Sequence, residues 1–132
     1  MNKKVVSTDI ISTDKAPSAI GTYSQAVIHS GLLYVSGQIP LVPETMELVS
    51  DDIDQQIAQV FYNLNAIIEA ANASLDDTIK FTVYLTDLSH FPRVNEVMAS
   101  KLSEPFPARV AVEVSALPRS ALIEIDAIVA IA

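Results

Sequence analysis

The chain has 132 residues, half of them hydrophobic, with no cysteine and eight basic against sixteen acidic side chains, a formal charge of −8. Phosphate binding needs clustered Lys and Arg, and only Lys3 and Lys4 adjoin, so nucleic acid and anionic membrane surfaces are unsuited partners. The missing thiols remove disulfides, thiolate catalysis and cysteine-ligated zinc, and one globular domain over 1–132 in a reducing cytoplasm is the expectation.

In chain order, Lys3 to Ser7 reads as a short opening strand, followed by a polar loop through Asp14, Lys15 and Pro17. No apolar run before it has the length of a signal peptide, and none in the chain reaches that of a membrane span. Ala26 to His29 and Leu32 to Ser36 form a hairpin about the turn signal Ser30-Gly31. Gly37 interrupts the second strand, permitting a bulge or the close approach of a ligand, and Pro40 and Pro43 end it.

Ser50, Asp51 and Asp52 mark a helix start, with acids where the helix dipole favours them. From Ile53 to Ala71 apolar residues recur at helical spacing along one stripe, and Asn72 ends the helix. Ile79, Phe81, Val83 and Leu85 alternate with polar residues as a strand. Ser89, with Pro92 in the first turn, opens a second helix whose stripe is Phe91, Val94, Val97, Met98 and Leu102. Ser103 to Pro107 is a loop, Val110 to Val114 a strand, and the last strand runs from about Leu122 to Ile131.

Two helices can cover only one face of such a sheet. If Val110, Val112, Val114, Ile123, Ile125 and Ala127 face the helices, the other face carries Leu32, Tyr34, Ser36, Arg109, Ala111, Leu122, Glu124, Asp126 and Ile128. That face is partly apolar and partly charged, so self-association through it is expected.

Arg109 stands inside an otherwise apolar strand, where a guanidinium is costly unless an anion meets it. Glu124 on the same predicted face is one such anion, giving an ion pair. The alternative gives the two separate work: Arg109 grips a carboxylate through paired hydrogen bonds, and Glu124 handles a water. Tyr23 suits a pocket wall or the core equally, Ser36-Gly37 a ligand contact or a strand-ending turn, and Asn95 a site or a solvated helix face. His29 and His90 lie in unrelated contexts, and Asp51, Asp52 and Asp54 lack the glycine and terminal glutamate of a calcium loop. No phosphate-cradling glycine loop is present. No metal or cofactor is expected, which leaves acid–base chemistry by carboxylate, tyrosine, arginine and water.

Pro107-Ala-Arg109, Val112, Leu117 and Ile123-Glu-Ile125 together resemble the signature of the Rid family, also called the YjgF family. Ala16-Pro17, Ile20-Gly21-x-Tyr23-x-Gln25, Val35-Ser-Gly-Gln-Ile-Pro40, Thr82-Val-Tyr-Leu-x-Asp87 and Val94-Asn-Glu96 extend the likeness from about Ser7 to Ala130. Thr22, Asn72 and Ala111 depart from the residues many or some members carry there, as do Met98, Lys101 and Leu102 on the second helix. The resemblance implies an α+β, chorismate-mutase-like fold: a mostly antiparallel sheet with two helices on one face, assembled as a homotrimer around the uncovered face. It implies hydrolysis of 2-imino acids such as 2-iminobutanoate and 2-iminopropanoate in clefts between subunits, downstream of pyridoxal-phosphate enzymes such as threonine dehydratase. By that likeness Arg109 binds the substrate carboxylate and Glu124 positions or activates water. Tyr23, Ser36, Gly37, Asn95 and the backbone of Ala111 line the pocket. Two other readings remain: a protein that binds small carboxylates without turnover, and a ribonuclease or translation inhibitor, against which the acidic charge argues.

Overall fold

Ser30 and Gly31 both take positive φ, 52° and 78°, the tight turn that a twisted hairpin requires. They join β2 (Ala26–His29) to β3 (Leu32–Gln38), the centre of one half of the sheet. The computed structural model describes residues 9–131, so the expected strand at Lys3 to Ser7 lies outside the described residues. The first described strand is β1 (Ile10–Ile11), in what the sequence suggested was loop. β4 (Leu41–Val42) and β5 (Glu47–Leu48) make a separate small hairpin, where two prolines had argued only for a strand end. The main sheet is completed by β6 (Thr78–Leu85), β7 (Ala108–Glu113) and β8 (Ile123–Ala130), in the order β1-β2-β3-β8-β6-β7.

Every pair in that sheet is antiparallel except β6 with β7, which is parallel and joined through α2 (Phe91–Lys101). A parallel pair needs such a crossover, because no tight turn can return the chain in the same direction. The longer helix, α1 (Ile53–Ala70), starts at Asp52, whose carboxylate accepts from the Gln55 N–H at 3.0 Å. It ends where Asn72 enters the left-handed region at φ 61° and the Ala73 N–H reaches back to the Ile68 carbonyl at 3.2 Å. The second helix is capped otherwise than expected: Asp87, and not Ser89, supplies the carboxylate, capping a short 3-10 turn at Leu88–His90 that leads into α2.

Both helices cover one face, and the core lies between. Ile57, Val60, Phe61, Leu64, Ile67 and Ile68 of α1 are buried against Leu33, Phe81, Val83, Ile123, Ile125 and Val129 of the sheet. Phe61 meets Phe81 edge-to-face, with ring centres 6.1 Å apart. Val94 and Met98 of α2 extend the same cluster. The architecture is therefore α+β, two helices packed on a mostly antiparallel sheet.

One expectation about facing is overturned. Register places Arg109 beside Phe81, Ala111 beside Val83 and Glu113 beside Leu85, all on the helix-covered side. Val110 and Val112 look outward instead, 41% and 38% exposed. The alternation within β7 was read correctly, but its phase was reversed. As an edge strand, β7 meets α2 with its charged and small residues and leaves its valines on the open face.

Candidate active site

Arg109 rests on one face of α2. Its Nη1 donates to Asn95 Oδ1 at 2.8 Å, its Cζ lies 4.6 Å over the centre of the Phe91 ring, and Met98 Sδ is 4.0 Å from Nη1. Phe91, Asn95 and Met98 follow one another at i, i+4 and i+7, so a single helical face forms the seat. Stacking of this kind contributes about 0.5–1 kcal/mol at an exposed site and, more usefully here, fixes the guanidinium plane. Arginine carries five N–H donors, so most stay available to a ligand. The adjoining recess, about 380 Å³, is walled by Met98, Leu102, Phe106 and Pro107.

A second recess, about 510 Å³, opens on the uncovered face of the sheet and holds Tyr23, Ser36, Gly37 and Glu124, with Ile20 and Arg119 beside them. Its walls are loops, and buried side-chain amides fix three of them. Gln25 donates to the Pro17 and Thr13 carbonyls at 2.7 and 3.0 Å and accepts from the Thr13 N–H at 2.7 Å. Asn63 of α1 donates to the Leu41 carbonyl at 2.9 Å. Gln56 of α1 donates to the Ser50 carbonyl and accepts from the Leu122 N–H, both at 2.8 Å, just ahead of Glu124. Across the mouth, Arg119 donates to the Met46 carbonyl at 3.1 Å. Tyr23 accepts from the Ile20 N–H at 3.3 Å, and Ser36 donates to the Ser24 carbonyl at 2.6 Å.

Glu124 lies directly over Gly37, where any Cβ would collide with its carboxylate. Gly37 also sits at the register shift between Val35 and Gln38, so both bulge and close approach occur there. The close partner is a side chain of this chain. Half-buried, Glu124 accepts no hydrogen bond from any of the described residues. Burial holds its carboxyl above the usual glutamate range, and the negative charge of Asp126 adds to the effect. A carboxyl so displaced is suited to exchanging protons with a bound water.

The structure thus gathers Tyr23, Ser36, Gly37 and Glu124 in one recess and Asn95 with Arg109 in the other. Ala111 lines neither: half-buried, its side chain packs on the core, while its backbone belongs to the sheet's edge strand. Arg109 and Glu124 do not pair, because they occupy opposite faces of the sheet with β6 between their strands. The expectation that both share the uncovered face is corrected with the phase of β7. Phe91 and Arg119 were not anticipated as lining or supporting groups. The spacing from Phe91 to Asn95 was the available signal for the first, whereas Arg119 stands in an irregular turn with nothing periodic around it. Among the described residues there is no group of three or more His, Asp or Glu arranged to hold a metal ion.

Residues 13–131 match the family described as Endoribonuclease L-PSP. The solved RidA of the Antarctic bacterium Psychrobacter sp. PAMC 21119 shares this fold with a TM-score of 0.87 and 55% identity, over 92% of this chain and 98% of that one. The chain belongs to the Rid family. A RutC family protein of Pyrococcus abyssi is 52% identical over 120 residues, 91% of this Rid chain and 94% of its own. A protein of Dermatophagoides farinae named 2-iminobutanoate/2-iminopropanoate deaminase is 42% identical over 122 residues, covering 92% and 95%. The motifs that resemble the family, from Ala16-Pro17 to Ile123-Glu-Ile125, all fall within the matched residues.

Proposed function

We propose that this protein hydrolyses reactive 2-imino acids, including 2-iminobutanoate and 2-iminopropanoate, to 2-oxo acids and ammonia, in clefts shared by adjoining copies of a homotrimer. The observation that carries the reading is the separation of Arg109 from Glu124. Each stands at an open recess: no carboxylate lines that of Arg109, and the one guanidinium lining that of Glu124, Arg119, already donates to the Met46 carbonyl. A second copy set against the uncovered face, with its bare Val110, Val112 and Tyr34, would bring the Arg109 recess of one chain to the Glu124 recess of the next.

In the assembled cleft, Arg109 would take the substrate carboxylate through two parallel hydrogen bonds, its plane set by Phe91 and Asn95. The protonated imine carbon is already electrophilic. Water adds to it and gives up a proton to ionised Glu124, forming a C–O bond and a tetrahedral amino alcohol. Glu124 returns that proton to nitrogen, the C–N bond breaks, and ammonia leaves as the hydroxyl gives its remaining proton to Glu124 and the carbonyl forms. Tyr23 and Ser36 wall the space in which the water is held. Most of the acceleration would come from orientation. A place in the cytoplasm beside pyridoxal-phosphate enzymes, whose released products include such imines, belongs to the same reading. The ribonuclease sense of the family's description finds no support in a chain of charge −8 whose only adjacent cations are Lys3 and Lys4.

The test generates 2-iminobutanoate with an amino-acid oxidase and captures what survives with semicarbazide. Less trapped imine is expected with the wild type, and an effect at least about a hundredfold weaker with Arg109→Ala. Unchanged trapping by the wild type would leave a carboxylate-binding protein in place of an enzyme.

A further inference from the structure

Strand β8 alternates strictly between core and open face, so Glu124 and Asp126 are neighbours on the open face. Successive residues on one side of a strand stand about 7 Å apart, close enough for two carboxylates to interact through a half-buried surface. Between them stands Tyr84 of β6. Its backbone pairs with Glu124, but its hydroxyl reaches diagonally along the sheet and donates to Asp126 Oδ2 at 3.1 Å. One carboxylate therefore has a fixed donor, and the other has none among the described residues.

We propose that Asp126, held by Tyr84, is a positioning residue for Glu124: a fixed second carboxylate that makes Glu124 the member of the pair that takes up the proton released by water. Two carboxylates sharing a site do not hold two full charges with equal ease, and a donated hydrogen bond favours the charged form of whichever receives it. A proton reaching the pair then goes to the unsupported carboxyl, the one facing the recess. Burial and Asp126 both displace the Glu124 carboxyl upward, in keeping with this division. The Tyr84 phenol is itself displaced upward, by burial first and then by Asp126, so it remains a donor throughout the working range.

The other charged and titratable groups toward this surface do not take over the role of Asp126. Lys80 of β6 is exposed and pairs with Ile128, beyond Asp126. Tyr34 of β3 also pairs with Ile128. From the loops come Tyr23 and Arg119, the latter already donating to the Met46 carbonyl. β7 gives this face Ala108, Val110 and Val112, none of which titrates. The proposed assembly adds Arg109 of an adjoining copy.

The inference rests on the reading of Glu124 as the proton-handling group, and its test is independent of turnover. The Glu124 carboxyl carbon is followed by NMR in 13C-glutamate-labelled protein across pH, its resonance assigned by loss in Glu124→Gln. In Asp126→Asn the Glu124 midpoint is expected to move down. In Tyr84→Phe it should move down by less, because the second carboxylate remains but is no longer held in place. Asp126→Glu, which keeps the charge, should hold the midpoint near the wild-type position. An unmoved midpoint in Asp126→Asn overturns the proposal, and so does a midpoint that stays low in Asp126→Glu, which would assign the effect to packing. If imine turnover is found, its pH profile should follow the same shifts with KM unchanged. If none is found, the deaminase reading fails while the titration still decides the coupling.

Discussion

Gly37 and Glu124 constrain each other. The carboxylate occupies the space that a side chain at 37 would fill, and it lies half-buried with no donor among the described residues. Keeping a carboxyl there has a cost to the fold. Its folded pKa lies above its unfolded one, so the folded chain binds the proton more tightly. That stabilisation is complete below the unfolded value, about 4.3, and is lost as pH rises through the folded value. Glu124→Gln, which cannot ionise, is therefore expected to melt above the wild type at pH 7 and level with it near pH 4. Calorimetry at both pH values checks this, and a Gln variant melting lower at pH 7 would contradict it. The close approach at Gly37 was one of two uses the sequence allowed for a glycine in a strand. That its occupant is a side chain from β8 depends on strand register, which no single segment encodes.

At the scale of elements, the second recess is a set of irregular loops made rigid from beneath. Gln25, Gln56 and Asn63 are 3%, 1% and 0% exposed, and each bonds to backbone of a wall or of the segment entering β8. Replacing Gln56 with Leu leaves the Leu122 N–H and the Ser50 carbonyl without these partners, at about 1–3 kcal/mol for each group left buried and unpaired. Denaturant unfolding should register that loss. Imine turnover should fall further than stability alone explains, since Leu122 leads directly to Glu124. Equal turnover per folded molecule would refute the positioning role.

The helices themselves were legible. The stripe from Ile57 to Ile68 and the alternation in β8 are buried as expected, and so is that of β6 from Phe81 onward, while Ile79 at the register shift is exposed. The amides were not legible, because a Gln or Asn beside an apolar stripe reads as solvated until the loop beneath it is known. β7 misled for a different reason. Its valine alternation resembles a core face, yet parallel pairing with β6 turns Arg109 toward α2. Burial within a chain and burial between chains leave the same pattern in sequence.

For the whole molecule, the proposed function makes activity a property of an assembly. Chains carrying Arg109→Ala or Glu124→Ala should each be inactive alone. Refolded together, they should regain activity, because about a quarter of the clefts in a random mixture receive the intact half from each parent. Turnover near that fraction supports clefts between copies, whereas no recovery would place both groups within one chain. The partly apolar uncovered face, from which self-association was expected, is present, with Tyr34, Val110 and Val112 exposed on it. That Arg109 and Glu124 lie on opposite faces was not legible, since it follows from the reversed phase of β7.

The same strand bears on the fate of a chain that fails to assemble. β7 closes the sheet on one side, with no strand beyond it among the described residues, and presents Val110 and Val112 bare. A row of open backbone groups flanked by exposed valines is a template for stray strands, and the prolines at 105 and 107 guard only its entrance. Outside the proposed assembly, a chain is thus exposed to aggregation along the segment that carries Arg109, the arginine proposed to bind substrate. Mutations relieving that hazard must spare Arg109, which leaves the outward valines as the positions where solubility and assembly compete.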